Sequence, residues 1–190
     1  MNHFIQFESK ALGQELLELA ALYKANPTLH SSKGKGKRIG CIFLNPSLRT
    51  RVSTQIAAQQ LGMEAIVLNM DKEGWALEMQ EGAVMNKGTV EHIKDAAGVL
   101  GSYFDILALR AFPSLTQKEE DVADFVLHQF IKYCKIPVVS LESAIRHPLQ
   151  SLADQLTIQE LTKDKKRPKV VLTWAPHIKA IPHAVANSFA

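Results

Sequence analysis

Short apolar runs alternate along this chain with segments whose apolar residues recur at helical spacing, and this alternation constrains the fold more than any other feature. An unbroken apolar run is typical of a strand that is buried on both faces of a parallel sheet. Alternating strands and helices predict a parallel α/β sheet with helices on both faces. The predicted strands are 38–45, 65–69, 105–110 and 137–141, and the predicted helices include 12–23, 52–61, 93–100, 122–133 and 149–156.

A charged stretch late in the chain marks the predicted domain boundary. The chain has 190 residues, which exceeds the roughly 150 of an average domain and predicts one domain with a remainder. Residues 162–169 are polar and rich in lysine, and a further predicted strand at 170–174 precedes the start of a helix. We therefore predict a first domain over 1–162, and a linker with the first βα unit of a second α/β domain over 163–190. On this interpretation the chain is a fragment.

The composition is that of an ordinary globular chain and excludes several classes of protein. No segment offers the ~20 apolar residues that span a bilayer, and the N-terminus has no basic leader with an apolar stretch. We therefore expect a cytoplasmic protein with no membrane partner.

Cys41 and Cys134 lie in apolar surroundings and do not form a disulfide framework. Histidines and cysteines do not cluster at metal-ligand spacing, so we expect no metal and no other cofactor.

Two basic segments, 33–38 and 163–169, raise nucleotide or nucleic-acid binding as alternatives. The first contains Gly34 and Gly36, but a P-loop carries a serine or threonine after its lysine and follows its strand. A dinucleotide fingerprint fails as well, because Ile39 stands where the third glycine belongs. The net charge is only +3, and neither segment holds aromatic residues on which bases stack. We expect solvated connectors and no nucleic-acid partner.

Polar residues follow the predicted strands at the carboxyl edge of the sheet, where ligands bind in α/β folds. Residues 45–51 lead from the first strand directly into a helix, whose N-terminus offers unpaired N–H groups to an anion. Arg49 adds a guanidinium fork suited to phosphate oxygens. The spacing alone is equally compatible with a simple helix cap flanked by surface arginines. The other candidates at this edge are Ser47, Thr50, Arg110, Glu142, His147 and Gln150.

Two motifs carry a specific resemblance to a known family. Residues 47–51 read Ser-Leu-Arg-Thr-Arg and resemble the carbamoyl phosphate motif Ser-x-Arg-Thr-Arg of the aspartate/ornithine carbamoyltransferases. Residues 147–150 read His-Pro-Leu-Gln and resemble the family's His-Pro-x-Gln motif. The resemblance covers the whole chain and looks closest to the N-succinylornithine and N-acetylornithine carbamoyltransferases, on the strength of Trp75 and of residues 172–177. The family's later His-Cys-Leu-Pro motif is absent from the chain.

The resemblance implies an enzyme that moves the carbamoyl group of carbamoyl phosphate to the δ-amine of an N-acylated ornithine, in arginine biosynthesis. It implies that Arg110 bridges the phosphate and the carbonyl oxygen, that His147 donates to that oxygen, and that Gln150 accepts from the carbamoyl NH₂. Arg110, His147 and Thr50 would be the catalytic residues. The carbamoyl phosphate residues implied in this way are Ser47, Leu48 through its backbone, Arg49, Thr50, Trp75, Arg110, His147 and Gln150.

The resemblance also implies an assembly and an acceptor site. Trp75 resembles a residue that family members lend to a neighbouring subunit, which implies a homotrimer, and Glu142 matches a position near the acceptor. Val90 stands where the related enzymes differ by acyl group: a glutamate there resembles the acetyl type, and a proline the succinyl type. An uncharged side chain would not repel a succinyl carboxylate, and Lys179 could attract it.

These residues favour N-succinyl-L-ornithine as the acceptor, with N-acetyl-L-ornithine and then free ornithine as alternatives. A further alternative is an inactive relative that binds carbamoyl phosphate or serves as an interaction module. The intact set of candidate residues argues against an inactive protein. We expect that the 190-residue chain alone does not turn over, because it lacks most of the acceptor half.

Overall fold

The computed structural model describes residues 3–70, 74, 76–86, 88–163 and 168–173. No helix in this part of the chain is long and apolar enough to cross a membrane. The elements in chain order are β1 (His3–Phe4), α1 (Lys10–Ala25), β2 (Arg38–Phe43), α2 (Arg49–Gln60), β3 (Glu64–Asn69), β4 (Leu77–Glu78), β5 (Glu91–His92), α3 (Ile93–Tyr103), β6 (Ile106–Arg110), α4 (Lys118–Val122), α5 (Phe125–Cys134), β7 (Val138–Glu142) and α6 (Pro148–Leu161).

Five of these strands form one parallel sheet in the order β1-β7-β6-β2-β3, and the short strands β4 and β5 pair separately. From β2 the chain passes through α2 to β3, then returns through α3 to β6 on the other side of β2. Parallel crossovers are right-handed, so connections that run in opposite directions place their helices on opposite faces. The predicted α/β class, with helices on both faces of a parallel sheet, is confirmed.

The side chains of the central strands alternate between two cores, one on each face of the sheet. Both faces of β2 and β6 are buried, which explains why these strands read as unbroken apolar runs in the sequence. The larger core lies under α3 and α5 and includes Ile42, Leu107, Leu109 and Phe130, whereas the smaller lies under α6 and includes Cys41, Phe43, Ala108, Leu141 and Leu149.

Three local features differ from the predicted elements. Strand β1 was not predicted, because two residues are too few to show a period, and it forms by pairing with β7. The loop predicted over 71–88 contains β4. The helix predicted over 122–133 is divided into α4 and α5 at Asp124, whose φ of 50° is left-handed and interrupts helical geometry.

The strand predicted at 170–174 is not formed over the described residues 168–173, which have no regular secondary structure. Val170, Val171 and Leu172 are 56%, 72% and 44% exposed. An apolar run becomes a strand only where a neighbouring strand satisfies its backbone hydrogen bonds. Residues 170–173 do not pair with any strand among the described residues. The prediction is wrong for these positions, and the remainder of the predicted βα unit lies outside the described residues.

The sheet has a topological switch point between β2 and β6. The connection after β2 leads to α2 on one face, and the connection after β6 leads towards α5 on the other. The two connections diverge, so a crevice opens at the carboxyl ends of these adjacent strands, which is where α/β sheets bind ligands. Both predicted motifs and Arg110 belong to segments at this edge.

Candidate active site

The first part of the site is the loop 44–48, which joins the carboxyl end of β2 to α2. Leu48 is the N-cap residue of α2, and its side chain makes no capping hydrogen bond to the described residues. The uncapped first turn offers its N–H groups and the positive end of the helix dipole, which favours an anion site over a simple cap. Leu48 and Arg49 are exposed, and Ser47 and Thr50 are half-buried.

The second part of the site is the guanidinium of Arg110, which is only 4% exposed at the end of β6. Its Nε and Nη2 donate to Glu142 Oε2 at 3.0 and 2.9 Å, and its Nη1 donates to the Pro46 carbonyl oxygen at 2.5 Å. A buried cation needs such partners to offset its lost hydration. Arg110 therefore ties the loop after β2 to the end of β7, across the switch point.

A second set of contacts joins the loop after β2 to the end of β6 and the residues that follow it. The Leu44 N–H donates to the Arg110 carbonyl oxygen at 3.0 Å, and the Phe112 N–H donates to Asn45 Oδ1 at 2.6 Å. The ring of Phe112 lies under the guanidinium, with Arg110 Cζ 4.3 Å from its centroid. Sequence reasoning missed Asn45, Pro46 and Phe112; the signals were an Asn-Pro pair directly after the strand and an aromatic residue two positions after the arginine.

A register shift between β6 and β7 brings Arg110 and Glu142 together. Leu109 pairs with Ser140, but Arg110 pairs with Glu142 instead of Leu141. The extra residue on β7 re-aims the strand end, which is a common role of a bulge beside a functional site. Without this shift the glutamate would not face the guanidinium, so the bulge builds the ion pair.

The third part of the site is His147, the N-cap residue of α6. Its Nδ1 accepts from the Gln150 N–H at 3.3 Å, so the ring proton of the neutral imidazole lies on Nε2. Nε2 is 3.9 Å from Glu142 Oε2, beyond hydrogen-bond distance. Burial lowers the pKa of His147 below its usual 6.5, Arg110 lowers it further, and Glu142 and Asp154 oppose the shift. The imidazole is therefore a neutral Nε2–H donor at neutral pH.

The remaining candidates are placed less centrally. The Gln150 side-chain amide donates from Nε2 to Asp154 Oδ1 at 2.8 Å, which leaves its carbonyl oxygen as the end that can accept from a ligand. Val90 is 66% exposed in the loop between β4 and β5. Trp75 and Lys179 lie outside the described residues. The described residues contain no cluster of three or more histidines, cysteines or carboxylates that could hold a metal ion.

Together these parts define a class: a parallel α/β domain with a cationic, donor-rich crevice at its switch point. A helix N-terminus can hold an anion there, while a buried guanidinium and a neutral imidazole N–H can polarise an adjacent carbonyl oxygen.

Comparison with known proteins assigns the chain to a family. Residues 3–160 match the model of the aspartate/ornithine carbamoyltransferase carbamoyl-P binding domain. The chain belongs to this family, and the predicted resemblance is confirmed.

Two relatives represent the two N-acylornithine branches. The N-succinylornithine carbamoyltransferase of Bacteroides thetaiotaomicron is 48% identical over 157 residues, which are 83% of this chain and 49% of that protein. The N-acetylornithine carbamoyltransferase of Xanthomonas axonopodis pv. citri is 44% identical over 192 residues, which cover 99% of this chain and 55% of that protein. The chain thus spans about half the length of these relatives.

A solved structure adds information about ligands. An N-acetyl-L-ornithine transcarbamylase in which one glutamate is replaced by valine is complexed with carbamyl phosphate and N-succinyl-L-norvaline. It matches this chain with a TM-score of 0.89 and 44% identity, over 99% of this chain and 57% of that one. Variants with alanine, proline or serine in place of the same glutamate hold the same two ligands.

Proposed function

We propose that the full-length protein transfers the carbamoyl group of carbamoyl phosphate to the δ-amine of an N-acylated ornithine, with N-succinyl-L-ornithine as the preferred acceptor. The products are the N-acylcitrulline and phosphate, in arginine biosynthesis. The observation that carries this proposal is the Arg110 guanidinium, buried at the switch point and held between Pro46 and Glu142 beside the uncapped N-terminus of α2. Membership of the carbamoyltransferase family supports it.

The phosphate of the donor substrate binds at the start of α2 in this proposal. Ser47 and Thr50 supply hydroxyl donors, Leu48 supplies its backbone N–H, and Arg49 supplies a charged fork. Charge that develops on the leaving phosphate is stabilised by Arg49 and by the helix dipole. The absence of a capping side chain on Leu48 supports this assignment, because a cap would compete with the phosphate.

The carbamoyl group lies between Arg110, His147 and Gln150. The unprotonated δ-amine forms a bond to the carbamoyl carbon, and the carbonyl oxygen becomes an oxyanion that Arg110, His147 and Thr50 stabilise. The bond from carbon to the phosphate oxygen then breaks, phosphate leaves with the electron pair, and the proton of the new amide nitrogen passes to the leaving phosphate. The Nε2–H of His147 serves as a donor without ionising, because burial keeps its pKa low.

The acceptor is the finer part of the proposal. We assign Val90 the place of the glutamate that is exchanged in the solved N-acetyl-L-ornithine transcarbamylase variants. The valine variant of that enzyme holds N-succinyl-L-norvaline, a ligand with the succinyl group of our preferred acceptor. A glutamate in this position would repel the succinyl carboxylate, and a valine does not. Lys179 attracts the carboxylate and Glu142 borders the acceptor in this proposal.

The proposed assembly is a homotrimer in which Trp75 completes the carbamoyl phosphate site of a neighbouring subunit. Helix α2 supports a subunit contact beside the site, since three apolar side chains one turn apart are exposed along it. These are Leu48, Val52 and Ile56, at 79%, 48% and 48% exposure. We call them the α2 stripe. A second subunit would bury this stripe.

The proposed location is the cytoplasm. Cys41 and Cys134 are both buried free thiols, and burial raises the pKa of Cys41 to about 11. Unpaired, inert thiols in a protein core are typical of a reducing compartment.

The reaction needs no metal or redox cofactor, because each of its steps is a proton transfer or a displacement at carbon that the named side chains support.

The acceptor proposal is tested by steady-state kinetics of the full-length protein with N-succinyl-L-ornithine, N-acetyl-L-ornithine and ornithine at fixed carbamoyl phosphate. We expect the succinyl substrate to have the highest kcat/KM, and we expect Val90→Glu to reduce its kcat/KM at least about tenfold through like-charge repulsion. Val84→Glu is the matched control, because Val84 is a 71% exposed valine of the same loop. A higher kcat/KM for the acetyl substrate in the parent protein would contradict the assignment of Val90.

A further inference from the structure

A buried carboxylate lies behind the site and has no part in the function proposed above. Asp124 directly precedes α5 and is only 2% exposed. Its φ of 50° is left-handed, a conformation that a residue other than glycine keeps only where the surrounding contacts hold it.

The Asp124 carboxylate hydrogen-bonds to the turn that joins β7 to α6, residues 143–146. Its Oδ2 accepts from Ser143 Oγ at 2.8 Å and from Arg146 Nη1 at 3.0 Å, and its Oδ1 accepts from the Ala144 N–H at 2.9 Å. The turn is also closed on itself, because the Ser143 N–H donates to the Arg146 carbonyl oxygen at 2.8 Å. One carboxylate thus gathers three donors from four consecutive residues.

The 143–146 turn connects two residues of the candidate site. Glu142, which orients Arg110, precedes the turn, and His147 follows it. We infer that Asp124 is a positioning residue, which holds the 143–146 turn so that Glu142 and His147 face the crevice together. The kinetic part of this inference rests on the proposed carbamoyl transfer, whereas the placement of His147 does not.

The charge arrangement fits a positioning role better than contact with substrate. Asp124 accepts hydrogen bonds from three donors and is paired with the Arg146 guanidinium. The Arg146 side chain is 27% exposed and the Asp124 side chain 1%, so the cation screens the carboxylate from solvent. A carboxylate that accepts three hydrogen bonds from one turn holds that turn in place.

The test is NMR titration of the His147 imidazole in the full-length protein, with Asp124→Asn as the main variant. An asparagine places an N–H₂ group, itself a donor, among the three donors of the turn, so hydrogen bonds are lost and the turn loosens. The His147 imidazole then becomes more exposed to solvent. We expect the pKa of His147 to rise towards its usual 6.5. Asp121→Asn is the matched control, because the Asp121 carboxylate likewise accepts backbone N–H bonds, from Ser114 and Leu115, and has no contact with the 143–146 turn within the described residues.

Kinetics of the same variants provide the second readout. For Asp124→Asn we expect kcat to fall at least about tenfold while the KM for carbamoyl phosphate changes less than about threefold, because residues 47–50, which hold the phosphate in the proposed function, have no hydrogen bond to Asp124 among the described contacts. Arg146→Gln alters the more exposed partner of the ion pair and decides the test if Asp124→Asn does not fold. We expect it to move both readouts in the same direction by a smaller amount.

The outcomes separate this inference from the proposed function. An unchanged His147 titration in folded Asp124→Asn and Arg146→Gln proteins would overturn the positioning role. A shifted titration in a protein that transfers no carbamoyl group would refute the proposed function and support the positioning role. A shifted titration with reduced kcat, and with Asp121→Asn like the parent, supports both.

Discussion

The behaviour of single residues at this site depends on burial more than on residue type. His147 caps the N-terminus of α6, but burial lowers its pKa and its cap bond leaves the proton on Nε2. Arg110 ends an apolar strand, which in many sheets marks a solvent edge, yet here the side chain is 4% exposed and held by Glu142. Both residues are thus rigid, desolvated donors.

The low pKa of His147 predicts a pH dependence of stability. Because its pKa is lower in the folded than in the unfolded protein, its contribution is complete above the unfolded value of 6.5. It is lost as pH falls below that value, since the unfolded chain binds the proton first. His147→Asn keeps a capping oxygen without titrating. We expect the free energy of unfolding, from urea titrations at about pH 8 and about pH 5, to fall less in this variant than in the parent. An equal fall in both would contradict the buried, neutral state.

The sequence predicts the candidate residues well but not their contacts. Arg110 and His147 were identified because each follows a strand whose apolar pattern is unbroken. The Arg110–Glu142 pair was not predicted, since it depends on the β6–β7 register shift, which has no local signal. Asp124 was missed for a related reason: its left-handed backbone and its long-range contacts to residues 143–146 exist only after the helices pack.

At the scale of elements, periodicity locates the core of each strand and helix but not every end. The four predicted strands of the sheet were located to within one or two residues at each end. The three central ones, β2, β6 and β7, are buried on both faces, which makes their apolar runs unbroken. The division of α4 from α5 and the two-residue strands depend on tertiary contacts. Residues 170–173 show the converse: the run is apolar, but it pairs with no strand in the part of the chain that the structure describes, and it is not a strand there.

The α2 stripe of Leu48, Val52 and Ile56 predicts an effect on assembly. Val52→Asp places a charge in the proposed subunit contact, where it cannot be hydrated, so we expect the trimer to dissociate at protein concentrations at least about tenfold higher than in the parent. Sedimentation velocity measures this. Val99→Asp is the control, because Val99 is similarly exposed, at 46%, on α3 at the opposite face of the sheet. Equal association of the parent and both variants would contradict the assignment of this surface.

At the scale of the whole molecule, the topology brings the site together. The reversal of strand order between β2 and β6 opens the crevice. Hydrogen bonds from Arg110 and Phe112 then connect the end of β6 to the loop after β2. The chain spans about half the length of its relatives, and the described residues include all the proposed carbamoyl phosphate residues except Trp75. Binding of that substrate is therefore the claim that depends most directly on the geometry.

Calorimetric titration of the full-length protein with carbamoyl phosphate tests this claim most directly. Arg49→Ala removes a charged fork from the α2 N-terminus, and we expect its affinity to fall by about a hundredfold, since charge-assisted bonds to phosphate are worth about 2–3 kcal/mol. Arg38→Ala is the matched control, because it removes the same charge from the opposite end of β2. The account predicts saturable binding by the parent and by Arg38→Ala, with a large loss in Arg49→Ala. Equal affinity in all three proteins would contradict it.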